Sequence, residues 1–252
     1  MEDLTKLWLK LQSHFINESI EDKGILKSCF MGGSPGSGKS YTIEKVKSGQ
    51  IEPRIVNTDK MSAFLAAQMN LDINTVINKW GKYGSKIKKL SQNQLALYLN
   101  SMLPLFVDST SSNPSAVFRR QGLLKSIGYD TAFIWVETSL ETAIERNRQR
   151  DKNVDEDFLI RTHKKIQDLK PYYKSEFKNF VKIKNDEGEL TNDMVLNAYR
   201  KISNFFNSDV ENPIGKKLIE NMRSKGQKYL IDVEDYDMQY IKNIVSSWYK
   251  KQ

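Results

Sequence analysis

The chain has 252 residues, of which 39% are hydrophobic and 28% charged, and its formal net charge is +8. This composition fits a soluble globular protein with one large α/β domain and an appendage. No apolar run approaches the ~20 residues that a helix needs to cross a bilayer, which argues against a membrane protein. The positive charge favours a polyanionic partner, although the basic residues are spread along the whole chain.

The N-terminal segment is predicted to be part of the folded protein. Apolar residues at helical spacing predict an amphipathic helix over residues 3–16, and the acidic residues and lysines among them argue against a signal peptide. Cys29 is the single cysteine, so no disulfide can form within the chain. This predicts a reducing, cytoplasmic compartment, with Cys29 as a small buried hydrophobe.

Strands and helices alternate along the chain after this segment. The first predicted strand is 25–31, followed by a helix that begins at Tyr41, and a lysine-rich helical region runs from Ser62 to about Leu103. Gly128 is expected to end a helix that begins at Val117. The other predicted strands are 54–57, 105–107, 131–136 and 180–183. Such alternation predicts a parallel, doubly wound sheet.

The sequence between the first strand and its helix has a phosphate-binding pattern. Gly33, Ser34, Pro35, Gly36, Ser37, Gly38, Lys39 and Ser40 fit G-x-x-x-x-G-K-[ST] in full. Glycines let successive N–H groups face phosphate oxygens, with Lys39 on the β/γ-phosphates and the Ser40 hydroxyl on Mg²⁺. We expect these eight residues and Tyr41 to contact a nucleotide at the N-terminus of the helix, and we call residues 33–40 the P-loop.

Two carboxylates follow predicted strands. Asp59 comes after the second strand, where it is either a base for an acceptor hydroxyl or a helix N-cap. Asp108 ends the third strand, where it can hold Mg²⁺ opposite Ser40. The plain alternative for Asp108 is a strand-end carboxylate without a ligand.

Two basic clusters complete the pattern. Arg146 and Arg150 lie one helical turn apart and could clamp phosphates, or they could form a solvated basic face. Trp80 and Tyr83 are interleaved with lysines at positions 79, 82, 86, 88 and 89. They could hold a nucleotide or a strand end, although a helix with buried aromatics and hydrated lysines is the commoner outcome.

Together these motifs resemble the P-loop kinases of the polynucleotide kinase-like and zeta-toxin-like family, over about residues 25–185. Asn57-Thr58-Asp59 resembles the segment that activates the acceptor hydroxyl. Asp108-Ser109-Thr110, with Asn113-Pro114 and Arg119, is similar to the family's D-x-T-n-x-N-P pattern, and residues 146–157 resemble its lid. The resemblance implies ATP and Mg²⁺ as cofactors. It also implies that the catalytic residues are Asp59, Lys39, Arg146 and Arg150, and that both arginines bind the donor phosphates.

The chain departs from this family at two places. Polynucleotide kinases carry an arginine three residues after the base aspartate, where this chain has Ser62. At the end of the third strand, the zeta-toxin pattern resembles Glu-Gly-Thr, whereas this chain has Asp-Ser-Thr. These differences leave the acceptor open between a nucleic-acid end and a nucleotide-like molecule, with a nucleotide-sugar kinase or a switch or assembly ATPase as alternatives.

The predicted fold is therefore α/β, a three-layer P-loop NTPase fold with a central parallel five-stranded sheet. Residues 1–206 are predicted as the kinase domain with its core at 24–185. The stretch Asn207–Pro213 has the composition of a boundary. Residues 207–252 are predicted as a helical extension docked on the core, and this extension resembles tails of kinase-like proteins encoded by bacteriophages, in which case the compartment would be the host cytoplasm. The sequence does not predict the oligomeric state.

Overall fold

The computed structural model describes residues 19–46, 51–149, 154–186, 192–227 and 238–249. The predicted N-terminal helix at 3–16 lies outside these residues. The strands are β1 (Lys27–Gly32), β2 (Arg54–Val56), β3 (Leu105–Asp108), β4 (Asp130–Glu137) and β5 (Asn179–Lys184). The helices are α1 (Lys39–Val46), α2 (Thr58–Gln68), α3 (Ile73–Asn78), α4 (Trp80–Asn100), α5 (Pro114–Ser126), α6 (Leu140–Arg148), α7 (Glu156–Glu176), α8 (Asn192–Asn207), α9 (Pro213–Ser224) and α10 (Met238–Trp248).

The strands form a five-stranded sheet in the order β2–β3–β1–β4–β5. The pairings of β1 with β3, of β1 with β4 and of β4 with β5 are all parallel. Every residue of β1 is buried, as expected for a central strand covered on both faces. The predicted α/β fold with a central parallel five-stranded sheet is confirmed.

Some element boundaries differ from those predicted. β1 begins at Lys27 because Leu26 has a φ of 53°, which is incompatible with a strand. Helix α5 begins at Pro114, three residues before Val117, because the Asn113 side chain caps it by accepting from the Ala116 N–H. Proline in the first turn has no N–H to leave unsatisfied, so this start is favourable.

The chain divides into two compact units. The first, which we call the P-loop unit, comprises residues 23–53 and 104–217, and the second, the α4 unit, comprises residues 1–22, 54–103 and 218–252. The predicted domain division between residues 206 and 207 stays a prediction.

An aromatic cluster forms much of the core of the P-loop unit. The ring of Phe133 on β4 stacks on Tyr173 of α7 with centroids 4.6 Å apart, and it also contacts Phe177 at 4.9 Å. Phe30 on β1 contacts Phe177 from the neighbouring strand. Aromatic pairs at these distances stabilise beyond their burial, so the cluster fixes α7 against β1 and β4.

A buried ion pair lies at the amino ends of β1 and β4 in the same unit. The Lys27 ammonium, whose side chain is 1% exposed, is 2.8 Å from Asp130 Oδ2. It also donates to Ser208 Oγ and to the Asp209 carbonyl, so all three of its protons have acceptors. Asp130 in turn accepts from the main-chain N–H groups that follow Val210. The pair therefore anchors the end of α8 and the following turn to the sheet.

The α4 unit has its own apolar core. A buried cluster joins α2, α3 and the first half of α4, and α10 packs on α4. The buried members are Met61, Leu65, Ala66, Val76, Tyr83, Ile87 and Leu90. One face of α4 is thus used entirely for packing within this unit.

Candidate functional site

The P-loop connects the end of β1 at Gly32 to the start of α1 at Lys39. Gly36 and Gly38 have φ values of 80° and 86°, which residues with a side chain rarely adopt. Space excludes a side chain as well. A Cβ on Gly36 would lie 2.3 Å from the Ala143 carbonyl oxygen, and one on Gly38 would lie 2.0 Å from Asn185 Nδ2. Both glycines are therefore required by conformation and by close packing.

The Lys39 side chain lies within the curl of this loop. Its ammonium donates to the carbonyl oxygens of Gly33 and Ser34 at 2.8 and 2.9 Å. Ser40 and Tyr41 follow on the first turn of α1, and both side chains are exposed. The positive charge of Lys39 is thus held at the loop by the loop's own main chain.

Asp108 lies beside the P-loop strand at the carboxyl edge of the sheet. It pairs with Met31 in the β1–β3 register, two residues before the loop begins at Gly33. The segment after Asp108 is tied to the same strand, since Ser111 Oγ donates to the Met31 carbonyl at 2.8 Å. The buried Tyr173 hydroxyl donates to the Ser111 carbonyl at 2.6 Å. The structure therefore brings Asp108 and the P-loop to one edge, as the sequence predicts.

Arg146, on α6, lies next to the P-loop. Its Nη1 donates to the Asn185 carbonyl at 2.7 Å and lies 3.9 Å from the position of a Cβ on Gly38. Arg150 lies outside the described residues. Asp59 is the second residue of α2 in the α4 unit, and its side chain is not among those described.

Two further residues at this edge, Asn185 and Asp186, follow β5 and were not among the predicted site residues. Asn185 Nδ2 donates to the Ser37 carbonyl of the P-loop at 2.7 Å, while its main-chain carbonyl holds Arg146. The same rule that singled out Asp59 and Asp108, a polar side chain directly after a parallel strand, applies to both residues. Neither residue belongs to a motif that the sequence was predicted to contain.

Asp186 ties the start of α6 to the end of β5. One carboxylate oxygen accepts from the Ser139 N–H at 2.5 Å and from Thr138 Oγ1 at 2.7 Å. Burial raises the pKa of Asp186, but the hydrogen bonds from Ser139 and Thr138 and the charge of Arg146 together outweigh it, so the pKa lies below its usual value. The carboxylate is therefore ionised beside the helix that carries Arg146.

A second clamp holds the C-terminal end of α6. The buried Asn147 side chain donates to the Val154 carbonyl at 2.8 Å and accepts from the Val154 N–H at 3.0 Å. Both hydrogen bonds therefore join Asn147, before residues 150–153, to Val154, after them. The next residue, Arg148, forms an exposed ion pair with Glu156 and faces away from the P-loop.

The residues at this edge fit a nucleotide triphosphate with Mg²⁺. A glycine-rich loop, the Lys39 ammonium and the Arg146 guanidinium supply donors and positive charge, as triphosphate oxygens require. The side chains of Ser40 and Asp108 carry hard oxygen atoms, the kind that Mg²⁺ prefers. The described part of the chain contains no group of three or more His, Cys, Asp or Glu side chains that could hold a metal ion. Mg²⁺ needs no such cage, because it takes one or two protein ligands together with phosphate oxygens and water.

Fold and site together define an α/β protein of the P-loop NTPase type. A family model described as an AAA domain, AAA_33, matches residues 29–170, which is more than half of the chain. The chain therefore belongs to this family. No curated protein sequence matches the chain. Among the described residues, none of the helices has the length and apolar character needed to cross a membrane.

The solved structures that are similar to this chain include the following three. A candidate kinase from Chloroflexus aurantiacus is 13% identical with a TM-score of 0.48, covering 71% of this chain and 97% of that one. Shikimate kinase from Bacteroides thetaiotaomicron is 9% identical with a TM-score of 0.42, covering 70% and 96%. A structure of the PezAT chromosomal toxin-antitoxin system of Streptococcus pneumoniae is 16% identical with a TM-score of 0.47, covering 82% and 98%. Identities this low say nothing about the acceptor.

Proposed function

We propose that this chain is an ATP-dependent phosphotransferase that moves the γ-phosphoryl group to a hydroxyl of a nucleic-acid end or a nucleotide-like molecule. One observation carries the proposal. The Lys39 ammonium lies in the curl of the P-loop while the Arg146 guanidinium lies beside Gly38. Two cations from different elements thus meet at one glycine-rich loop, which is the arrangement that phosphoryl transfer uses to stabilise charge.

Lys39 and the P-loop main chain would bind the donor phosphates. The ammonium already lies at the loop, held by two carbonyl oxygens, so it can exchange these acceptors for phosphate oxygens with little movement. Such pre-positioned charge costs little reorganisation when the reaction occurs.

Ser40 and Asp108 would hold Mg²⁺ from two neighbouring positions at the sheet edge. Ser40 opens α1 directly after Lys39, and Asp108 ends the strand next to β1. When bound, MgATP supplies the transferable phosphoryl group, and the cation neutralises charge on its oxygens.

Arg146 would complete the charge around the donor. In the described structure, its Nη1 bonds to a main-chain carbonyl, a neutral acceptor that a phosphate oxygen can replace with a stronger, charge-assisted bond. Arg150, one turn further along the sequence, is proposed to act with it as the second arginine of the lid.

Asp59 is proposed as the base. Its position directly after β2, at the start of α2, is where a carboxylate can accept the proton of an acceptor hydroxyl. The side chain of Ser62 carries no charge and is buried, so this position offers no cation for a 3′ phosphate of an acceptor strand. Nucleotide-like small molecules are therefore proposed as acceptors beside nucleic-acid ends.

A panel of acceptors tests the proposal. γ-Labelled ATP is incubated with the protein and 5′-hydroxyl DNA, 5′-hydroxyl RNA, nucleosides, UDP-sugars or no acceptor, and the labelled products are separated. The proposal predicts label on the DNA, the RNA or the nucleosides. Label on UDP-sugars alone would contradict the acceptor class, and ATP hydrolysis that no acceptor alters would indicate a switch or assembly ATPase instead.

A further inference from the structure

Although basic residues occur along the whole chain, one long segment contains lysines and no acidic residue. Between Asp72 and Asp108 the sequence has no acidic residue but has five lysines, while the net charge of the whole chain is +8. The lysines are Lys79, Lys82, Lys86, Lys88 and Lys89. The five lysines give α4 and the residue before it a formal charge of +5. A comparable helix is α7, with the same length of 21 residues, which contains both lysines and acidic residues.

Four of these lysines, which we call the lysine stripe, follow one line along the helix. Lys79, Lys82, Lys86 and Lys89 are spaced three, four and three residues apart, which places them on one face. Three of them are exposed and Lys86 is half-buried. At 1.5 Å per residue the stripe is about 15 Å long, which matches on the order of four phosphates of one nucleic-acid strand.

Within the described residues, no carboxylate neutralises the stripe. None of the ion pairs there includes a lysine of the stripe. Two acidic side chains of the same unit are engaged elsewhere, since Glu21 pairs with Arg223 and Asp72 caps α3. Among the residues that the structure describes, the charge of the stripe therefore has no carboxylate partner.

The other face of α4 is unavailable to a membrane. Tyr83, Ile87 and Leu90 are buried in the core with α2 and α3, and α10 also packs on α4. A helix that binds at a membrane surface inserts its apolar face between the lipids. Because α4 has no free apolar face, its charge favours a hydrophilic polyanion over a lipid surface.

An exposed aromatic side chain lies at the end of α4 where the stripe begins. Trp80 is 52% exposed, and its indole lies on Gly84, where an added Cβ would be 2.7 Å from the ring. Tyr83, the other aromatic candidate, is buried, with the Lys82 ammonium 5.3 Å from its ring centroid. Trp80 is therefore the aromatic residue of this segment that can stack on a base.

We propose that the lysine stripe and Trp80 form a binding surface for single-stranded nucleic acid. The lysines contact successive phosphates, which carries no sequence preference, and Trp80 stacks on one base near Lys79. Binding here requires neither a nucleotide triphosphate nor phosphoryl transfer, so the surface would exist whatever the acceptor of the reaction is.

Fluorescence anisotropy with the full chain tests this proposal. The probe is a labelled single strand of about 20 nucleotides, longer than the ~4–16 nucleotides that one such site covers. It carries a 5′ phosphate, and ATP is omitted, so the strand cannot be an acceptor. The logarithm of the affinity should fall with that of the salt concentration with a slope of about −2 to −3, as expected for three or four phosphate contacts.

Charge reversal locates the surface. The variant K82E/K86E/K89E should bind at least about tenfold more weakly and lose most of the salt dependence. The control K164E/K165E/K174E makes the same change in net charge on exposed positions of α7, and its affinity should fall by less than about twofold. Equal losses in both variants would show that only net charge matters and would overturn the proposal.

The variant Trp80→Ala tests whether the surface prefers nucleic acid to other polyanions. Loss of one stacked base should weaken binding of the strand about fivefold or more, while binding of heparin should not change. Equal affinity of the wild-type protein for the strand, for heparin and for phosphatidylserine vesicles would overturn the choice of occupant. Circular dichroism checks each fold, and K82Q/K89Q replaces the triple variant if that does not fold.

Strand binding at the lysine stripe and phosphoryl transfer at the P-loop can be tested separately. Lys39→Ala should bind the strand like the wild type, because the P-loop is not part of this surface. A protein that transfers phosphate to a small acceptor but does not bind the strand would refute this inference alone.

Discussion

The side-chain amide of Asn185 donates a hydrogen bond of 2.7 Å to the main-chain carbonyl of Ser37. The residue that follows β5 thereby supports the middle of the P-loop. The main-chain carbonyl of Asn185 also accepts from Arg146 at 2.7 Å. One asparagine thus connects the loop proposed to bind the donor phosphates with the arginine proposed to stabilise them.

Asn185→Ala should destabilise the protein and weaken nucleotide binding together. The substitution leaves the Ser37 carbonyl without its donor, and such a loss costs about 1–3 kcal/mol of unfolding free energy. Urea denaturation measures the stability, and titration with a fluorescent ATP analogue measures the binding. Asn204→Ala, at an exposed position of α8, is the control and should stay within about 0.5 kcal/mol of wild type. Unchanged nucleotide affinity in Asn185→Ala would show that this bond does not shape the loop.

Gly38→Ala should abolish nucleotide binding. The new Cβ would lie 2.0 Å from Asn185 Nδ2, at a φ of 86° that alanine rarely adopts, so the loop must move. Gly122→Ala is the matched control, since a Cβ there has no neighbour within 4 Å on α5. It should raise the unfolding free energy by up to about 1 kcal/mol through helix propensity. Normal nucleotide affinity in Gly38→Ala would contradict the observed packing.

Arg146→Ala should reduce kcat steeply while leaving the fold intact. If Arg146 stabilises charge on the transferred group, its loss should cost about 10²-fold or more in kcat, as for other groups of this kind. Arg148→Ala, two residues along the same helix, removes only an exposed ion pair with Glu156 and should cost no more than about 1 kcal/mol of stability. Steady-state kinetics give the kcat of both variants. Equal kcat values would show that Arg146 does not take part in the reaction.

Asp186 should make stability depend on pH under acidic conditions. Burial raises its pKa, but the hydrogen bonds from Ser139 and Thr138 and the charge of Arg146 outweigh this, so the pKa in the folded protein lies below its ordinary value. Its ionised form therefore stabilises the fold above about pH 4, and this contribution is lost as the pH falls through the lower, folded-state pKa. In Asp186→Asn the unfolding free energy should vary less between about pH 3 and pH 6. Parallel curves for the two proteins in urea titrations would contradict this role.

Residue patterns in the sequence predicted much of this structure. The P-loop between β1 and α1, the five strands and the positions of Asp108 and Arg146 followed from local patterns of apolar residues and from one specific motif. These elements could be predicted because the periodicity of apolar residues in a strand or a helix depends only on neighbouring residues in the sequence.

The contacts that complete the site were not predictable in this way. Asn185 and Ser37 are 148 residues apart in sequence, and only the parallel pairings of β1, β4 and β5 bring their strand ends together. The same holds for Arg146, whose acceptor is a main-chain carbonyl without any sequence pattern. Likewise, nothing in the lysine-rich segment distinguished Trp80 from Tyr83, because burial of one and exposure of the other depend on the packing of α2, α3 and α4.

The most direct test of the central claim compares Lys39→Ala and Asp59→Asn in the same experiment, with γ-labelled ATP and the acceptor that the panel identifies. Donor binding and phosphoryl transfer are measured separately for each variant. If the chain is a phosphotransferase with Asp59 as its base, Lys39→Ala loses both, whereas Asp59→Asn keeps ATP affinity and loses about 10²-fold or more of the transfer rate. Unchanged turnover in Lys39→Ala, or an ATPase rate that neither the acceptor nor Asp59→Asn alters, would contradict it.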